Sequence, residues 1–443
     1  MASGYLLSGY GNLSCRPSPV NRMMSSFAED FREGVDINLG VGYVNENTIP
    51  RTHVRDALDA VLSLPEKYRA ALNYGGPKGS ANLIASLRAF LTSRGVGGLT
   101  ADVLDKRQII IGANGATSLL EAIAEVLVPG IVITTDPMYY IYCDFLERKG
   151  FRIVAVPEEA DGLHAQAVRE RIAELGDERR AISFIYVVTV NNPSATILAN
   201  AERRALVHIA AELSRELGRK VPLILDKAYE DLIHDPSVEA PLSGLLWDEE
   251  GLVYELATFS KIVAPGLRVG YMLGSDGPFL QALIQRASDV GFSAPLVNQE
   301  IASRLLDTVV DQQILRVRAG YREKALAVRR WIEESLGPSV EQCTGGKASF
   351  YFYLTFRETR TNEASPFFRY LARTTGRAEI DGPPGAKKPR VIYIPGEFCV
   401  HREGRMVERG TRQLRISYGF EETHRLKQAI ELMAEAASCT RGA

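Results

Sequence analysis

An excess of charge is missing from this chain. Its 52 lysines and arginines nearly balance 54 aspartates and glutamates, a formal net charge of −2 over 443 residues. That leaves no electrostatic case for nucleic acid as the main partner. Cysteine is scarce: Cys15, Cys143, Cys343, Cys399 and Cys439 are scattered, with no CxxC pair. This spacing argues against a disulfide framework or a thiolate zinc site and fits a reducing, cytoplasmic setting. The six histidines form no HExxH or other metal spacing. No apolar run approaches a membrane span, and the most apolar stretch, Ala181 to Val190, reads as a buried strand. Met1 to Cys15 lacks the basic head and apolar core of a signal peptide. There is no internal repeat and no low-complexity tail.

What is present is ample core material, 46% hydrophobic. The length predicts two or three domains, or one large domain with a smaller one. Residues 1 to about 35 read as a polar, irregular arm. Asp36 to Val44 is a short apolar run broken by Gly40 and Gly42. Thr52 to Leu64 and Ala81 to Ser93 have helical periodicity. From Arg107 strands and helices alternate. Strands are expected at Gln108–Ile111, Ile131–Thr134, Ile153–Val156, Ile182–Val188, Pro222–Leu225, Val253–Ala257 and Arg268–Leu273, with helices at Ala116–Val126 and Ala201–Leu217. This pattern predicts an α/β domain with a mostly parallel sheet covered on both faces. Asn298 to Leu336 reads as a long helical stretch with a break near Gly320. A smaller α+β domain follows, with strands at Ser349–Phe356, Val391–Ile394 and Arg412–Tyr418, a loop at Gly376–Arg390 that includes Pro384, and a last helix at Glu422–Ala437.

The stretch Ala257 to Gly270 concentrates the chemistry. Lys261 follows the small hydroxyl residues Thr258 and Ser260, and Arg268 comes after a Pro265-Gly266 turn. Lysine condenses with carbonyls once deprotonated, and arginine grips phosphate with a bidentate fork. Pyridoxal 5′-phosphate (PLP) offers both groups, although a surface loop explains the segment alone equally well. Four other strand ends bear on the choice. Gly115-Ala116-Thr117 opens a helix, and a helix N-terminus binds phosphate, although an ordinary helix start accounts for it too. Tyr139 could stack on a flat ring or simply be half-buried. Asn192 could donate to a phenolate oxygen while serving in a turn. Asp226 ends a hydrophobic strand, where a carboxylate is costly unless paired; a protonated pyridine nitrogen is one partner and a helix cap another. Tyr229 lies three residues on. Ligands of open α/β sheets bind at this edge.

With these motifs in order, the chain resembles a fold-type I PLP enzyme of the class I/II aminotransferase group, from about Asn38 to Met433. Within it, Arg16 to Met24, Tyr74-Gly75-Gly76-Pro77, Asp226 to Tyr229 and Ile394-Pro395-Gly396 are similar to valine–pyruvate-type aminotransferases. The resemblance implies an aspartate aminotransferase-like fold divided into 1–50 (arm and start of the small domain), 51–305 (PLP-binding large α/β domain) and 306–443 (small α+β domain). It implies Lys261 as the Schiff-base lysine and Asp226 and Tyr229 as its catalytic companions. Gly115, Ala116, Thr117, Tyr139, Asn192, Thr258, Ser260 and Arg268 would bind cofactor, joined by Tyr74 from a partner subunit. Gly42, Asn192 and Arg415 would receive the substrate α-carboxylate. Ser194-Ala195 departs from the usual Thr-Gly, which puts that turn's geometry in question. The activity implied is ping-pong transfer of an amino group from an α-amino acid, small aliphatic ones included, to a 2-oxo acid by a cytoplasmic homodimer. A lyase, decarboxylase or oxidase on the same scaffold would use the same motifs, and a regulatory relative remains a further alternative. Side-chain pocket candidates are Tyr43, Tyr140, Phe292 and Ser293, for which simple packing is an equal account.

Overall fold

The computed structural model describes residues 5–383 and 385–440, so Met1 to Gly4 of the arm and Pro384 of the expected loop lie outside it. Thirteen strands are present among the described residues. β1 is Ile37–Asn38. β2 (Gln108–Ile111), β3 (Ile131–Asp136), β4 (Arg152–Pro157), β5 (Ile182–Val188), β6 (Leu223–Asp226), β7 (Val253–Thr258) and β8 (Gly270–Gly274) form one sheet. The small sheet holds β9 (Val340–Gly345), β10 (Tyr351–Phe356), β12 (Ile394–Pro395) and β13 (Gln413–Ser417). The remaining strand, β11 (Val391–Ile392), pairs with β1.

The large sheet runs β2-β8-β7-β6-β5-β3-β4 and is parallel except for β8, which is antiparallel to both neighbours. Strands β3, β6 and β7 are buried at every residue, because helices cover both faces and enclose even their polar residues, Asp136, Asp226 and Glu255 among them. The exception in direction matters for the site. β7 ends at Thr258 and β8 returns from Gly270, so the segment between them begins and finishes at the carboxyl edge of the sheet. The small sheet is antiparallel throughout, and β13 sits between β12 and β10.

Three expectations need correction. The arm is not irregular throughout: residues 5–35 hold helices Gly9–Ser14 and Pro19–Glu29, capped by Ser8 and Ser18, with Pro19 in the first turn where it loses no hydrogen bond. The long helical stretch breaks at Val309, between Leu296–Thr308 and Val310–Trp331, and runs straight through Gly320. Val309 leaves helical geometry at φ −133°, within a β-branched Thr308-Val309-Val310 run that crowds a helix. The Gly376–Arg390 loop contains one helical turn, Ala378–Asp381. Helices Tyr140–Arg148, Ala165–Glu174, Pro278–Gly291 and Pro366–Ala372 and strand β9 were not expected. Among the described residues no helix is long and apolar enough to cross a membrane.

Candidate active site at the carboxyl edge of the large sheet

A cavity of about 440 Å³ opens at that edge, where Arg415 of β13 and the Gly40–Tyr43 segment meet the large sheet. Lys261 enters it from a single tight turn after β7. Thr258 Oγ1 accepts from the Ser260 N–H at 3.2 Å and donates to the Val269 carbonyl at 3.0 Å, fastening both ends of the segment. Lys261 Nζ donates to the Gly42 carbonyl at 2.9 Å. Burial, then the cations of Arg415 and Arg268, push this amine down to about 8, against the pull of Asp226.

Arg268 adopts left-handed backbone at φ +53°. Its Nε and Nη2 donate to the side-chain and main-chain oxygens of Asn114, at 3.0 and 3.1 Å. A Cβ on Gly115 would lie 3.1 Å from Arg268 Nη2, and one on Gly270 would lie 2.3 Å from the Ala116 nitrogen. Glycine is therefore what lets the start of helix Gly115–Val126 press against β8. Asn114 gives that helix no side-chain cap, and Ala116 and Thr117 line the cavity. Uncapped N–H groups, a threonine hydroxyl and a guanidinium are the kinds of group that bind anions.

Asp226, at the end of β6, is buried. It accepts from Tyr186 Oη at 2.9 Å and from the Ala228 N–H at 3.0 Å, and burial raises its pKa. Tyr229 Oη lies 2.9 Å from Tyr351 Oη. Lys227 pairs instead with Glu230 at 3.2 Å and Glu255 at 3.0 Å, beside a separate cavity of about 950 Å³. Arg415 is 2% exposed. Its Nη1 donates to Asn192 Oδ1 at 2.8 Å and Nη2 donates to the Gly40 carbonyl, while Nε is buried without a partner. The Tyr351 ring lies 4.4 Å from the guanidinium carbon. A Cβ on Gly42 would come within 2.6 Å of Tyr351 Oη.

The structure thus brings Lys261, Asp226, Tyr229, Asn192, Arg268, Arg415, Thr258, Ser260, Gly42, Tyr139, Ala116 and Thr117 to one cavity, with Gly115 packed against Arg268 behind it. Tyr43 and Tyr140 line it as well. Tyr74 does not line the cavity of its own chain: it is 77% exposed, its ring 5.1 Å from that of Phe292. Phe292 and Ser293 stay with it, Ser293 Oγ accepting from the Gly75 N–H at 3.2 Å. Sequence reasoning missed Tyr351 and Tyr186. Tyr186 was findable, since a tyrosine inside a wholly buried strand needs a partner for its hydroxyl. Tyr351 was not, because nothing in the Phe350–Tyr353 run tells it from Tyr353, which the β10–β13 register sets opposite Arg415.

The turn that carries Asn192 is held unusually. Ala195 takes φ +53°, and Glu158, after β4, accepts from Asn191 Nδ2 at 2.9 Å, Ser194 Oγ at 2.7 Å and Thr196 Oγ1 at 3.0 Å. Burial pushes the Glu158 carboxyl up to about 7, against those hydrogen bonds.

A family model described as aminotransferase class I and II matches residues 36–380. The chain is similar to an aromatic-amino-acid aminotransferase of Thermococcus litoralis, 24% identical over 405 residues, covering 90% of this chain and 87% of the relative. It is also similar to an uncharacterized HTH-type transcriptional regulator of Bacillus subtilis, 24% identical over 404 residues, covering 90% and 73%. Among solved structures, a multiple substrate aminotransferase from Thermococcus profundus superposes with a TM-score of 0.82 at 20% identity, covering 98% of each chain.

Proposed function

Because the chain belongs to the class I and II aminotransferase family, we propose that it uses pyridoxal 5′-phosphate to move the amino group of an α-amino acid to a 2-oxo acid, in two alternating half-reactions. The observation that carries the reading is the convergence of one depressed lysine, one buried carboxylate and two separate arginines on a single cavity.

The residues fit the cofactor by chemistry. Arg268, Thr117 and the uncapped helix start would hold its phosphate. Asp226 is a buried carboxyl group whose charged form a ring N–H⁺ would partner, and such a partner offsets the cost of its burial. Tyr229 and Asn192 would face the ring hydroxyl. When bound, the cofactor supplies an aldehyde that exchanges amino groups and a ring that takes up the electron pair released at Cα. Lys261 is then the base that removes the substrate's Cα proton and the acid that returns it. Its value near 8 leaves an appreciable fraction of free amine at neutral pH. Arg415 binds the α-carboxylate, each charged hydrogen bond contributing roughly 1.5–3 kcal/mol. Asn192, on Arg415 Nη1, fixes the fork's plane. In this reading residues 51–305 hold the cofactor, and the 1–50 and 306–443 segments close over the substrate. Two copies share their sites through Tyr74.

A screen of amino acid and oxo acid pairs on purified protein tests this. Amino transfer to at least one 2-oxo acid is expected, and Lys261→Ala abolishes it while the protein still folds. Full activity in that variant, or release of ammonia, carbon dioxide or peroxide in place of transfer, contradicts the reading.

A further inference from the structure

The turn Asn191–Thr196 leaves β5 and presents Asn192 to Arg415. Two main-chain hydrogen bonds close it, Ala195 N–H to the Asn191 carbonyl at 2.8 Å and Asn191 N–H to the Thr196 carbonyl at 2.9 Å. The closure requires left-handed backbone at residue 195, φ +53°. Glycine adopts that conformation freely and alanine does not. Something else must hold the turn, and the side chains around it show what does. Every donor that the turn's side chains offer toward β4 converges on one carboxylate. Glu158 Oε1 takes Asn191 Nδ2, and Oε2 takes the hydroxyls of Ser194 and Thr196. Asn191 Nδ2 also reaches the Pro137 carbonyl at 3.0 Å. Thr344 Oγ1 of β9 donates to the Ser194 carbonyl at 2.8 Å, which ties the turn to the small sheet. Glu158 itself does not line the cavity.

We infer that Glu158 is a positioning residue for amino transfer: it clamps the Asn191–Thr196 turn in a shape that Ala195 resists, and so sets Asn192 against Arg415. The inference rests on the reading of Arg415 as the carboxylate-binding residue. It makes the donor's binding depend on a glutamate that never touches it. A carboxylate suits the task because both its oxygens accept and it can gather several donors at once.

Steady-state kinetics of the holoenzyme test the clamp. Glu158→Ala is expected to raise KM for the amino donor about tenfold while kcat stays within about threefold, since carboxylate binding is disturbed and proton transfer is not. Glu158→Gln keeps an acceptor for Asn191 and offers an amide donor to the two hydroxyls, so its KM stays within about threefold of wild type. Adding Ala195→Gly to Glu158→Ala restores most of the lost KM, because glycine takes the turn conformation unaided. A purely structural role would lower stability without this split and without rescue at residue 195. Should Glu158→Ala not fold, Glu158→Asp replaces it with the same expectation, being too short to span Asn191 and Ser194 together. A wild-type KM in Glu158→Ala, or no recovery on adding Ala195→Gly, overturns the clamp. Arg415→Lys separates the two readings: it raises KM for the donor if Arg415 binds the carboxylate, and a wild-type KM there overturns that reading instead.

Discussion

An amine that titrates near 8 in place of its ordinary 10.5 changes how this protein meets an aldehyde. The cause lies in three neighbours of Lys261: the apolar enclosure that strips its water, and the guanidiniums of Arg415 and Arg268 that repel its proton. Only the free base is nucleophilic. The rate at which cofactor-free protein takes up PLP, followed by absorbance, should therefore rise by about tenfold per pH unit below 8 and level off above it. A rate still climbing at pH 10 would mean an unperturbed lysine. Residue identity and residue pKa were unequally legible. Lys261, Asp226 and Arg268 stand out in the sequence because each sits beside a strand end or a Pro-Gly turn. The repulsion by Arg415 does not, since 154 positions separate the two and only the small sheet brings them together.

At the scale of elements, one buried carboxylate ties the first segment to the last third of the chain. Asp36, just before β1, accepts from Arg32 Nη2 at 2.5 Å and Nε at 3.2 Å. It also accepts from Arg390 Nη2 at 2.8 Å and from the Arg390 N–H at 3.0 Å. Burial alone would raise the Asp36 pKa, but the arginine hydrogen bonds outweigh it and hold it well below the usual 3.8. The stabilisation is therefore present above pH 3.8 and is lost as pH falls toward the depressed value. Asp36→Ala is expected to cost about 1.5–3 kcal/mol, since Arg32 and Arg390 lose charged hydrogen bonds while Arg390 keeps Asp30. Asp36→Asn should flatten the fall in melting temperature below pH 4; an unchanged acid profile would contradict the assignment. The core elements of the large sheet were readable because each is an apolar run of strand length between turn signals. Helices Gly9–Ser14 and Pro19–Glu29 were not, since Gly9, Gly11, Pro17 and Pro19 punctuate the early chain and the serine caps are easily read as loop. Strand β9, Val340–Gly345, was hidden because none of its residues is fully buried, so its pattern carries no periodicity.

For the molecule as a whole, the proposed sharing of sites through Tyr74 needs two copies. Leu72, Tyr74, Val290 and Phe292 are all more than half exposed, and the Tyr74 and Phe292 rings lie 5.1 Å apart. In the proposed homodimer Tyr74 completes the neighbouring site. Tyr74→Ala should lower activity about tenfold, as loss of a charge-assisted hydrogen bond to phosphate does. Mixing it with inactive Lys261→Ala after subunit exchange should recover activity, because one site per hybrid then has both native residues. A mixture no more active than its parts would refute shared sites. The most direct test of the central claim is reductive trapping of the intact protein loaded with PLP, followed by mass mapping of its peptides. A pyridoxyl phosphate adduct on Lys261 alone is expected. An adduct on Lys227, whose amine is held by Glu230 and Glu255, or on no lysine at all, would contradict it.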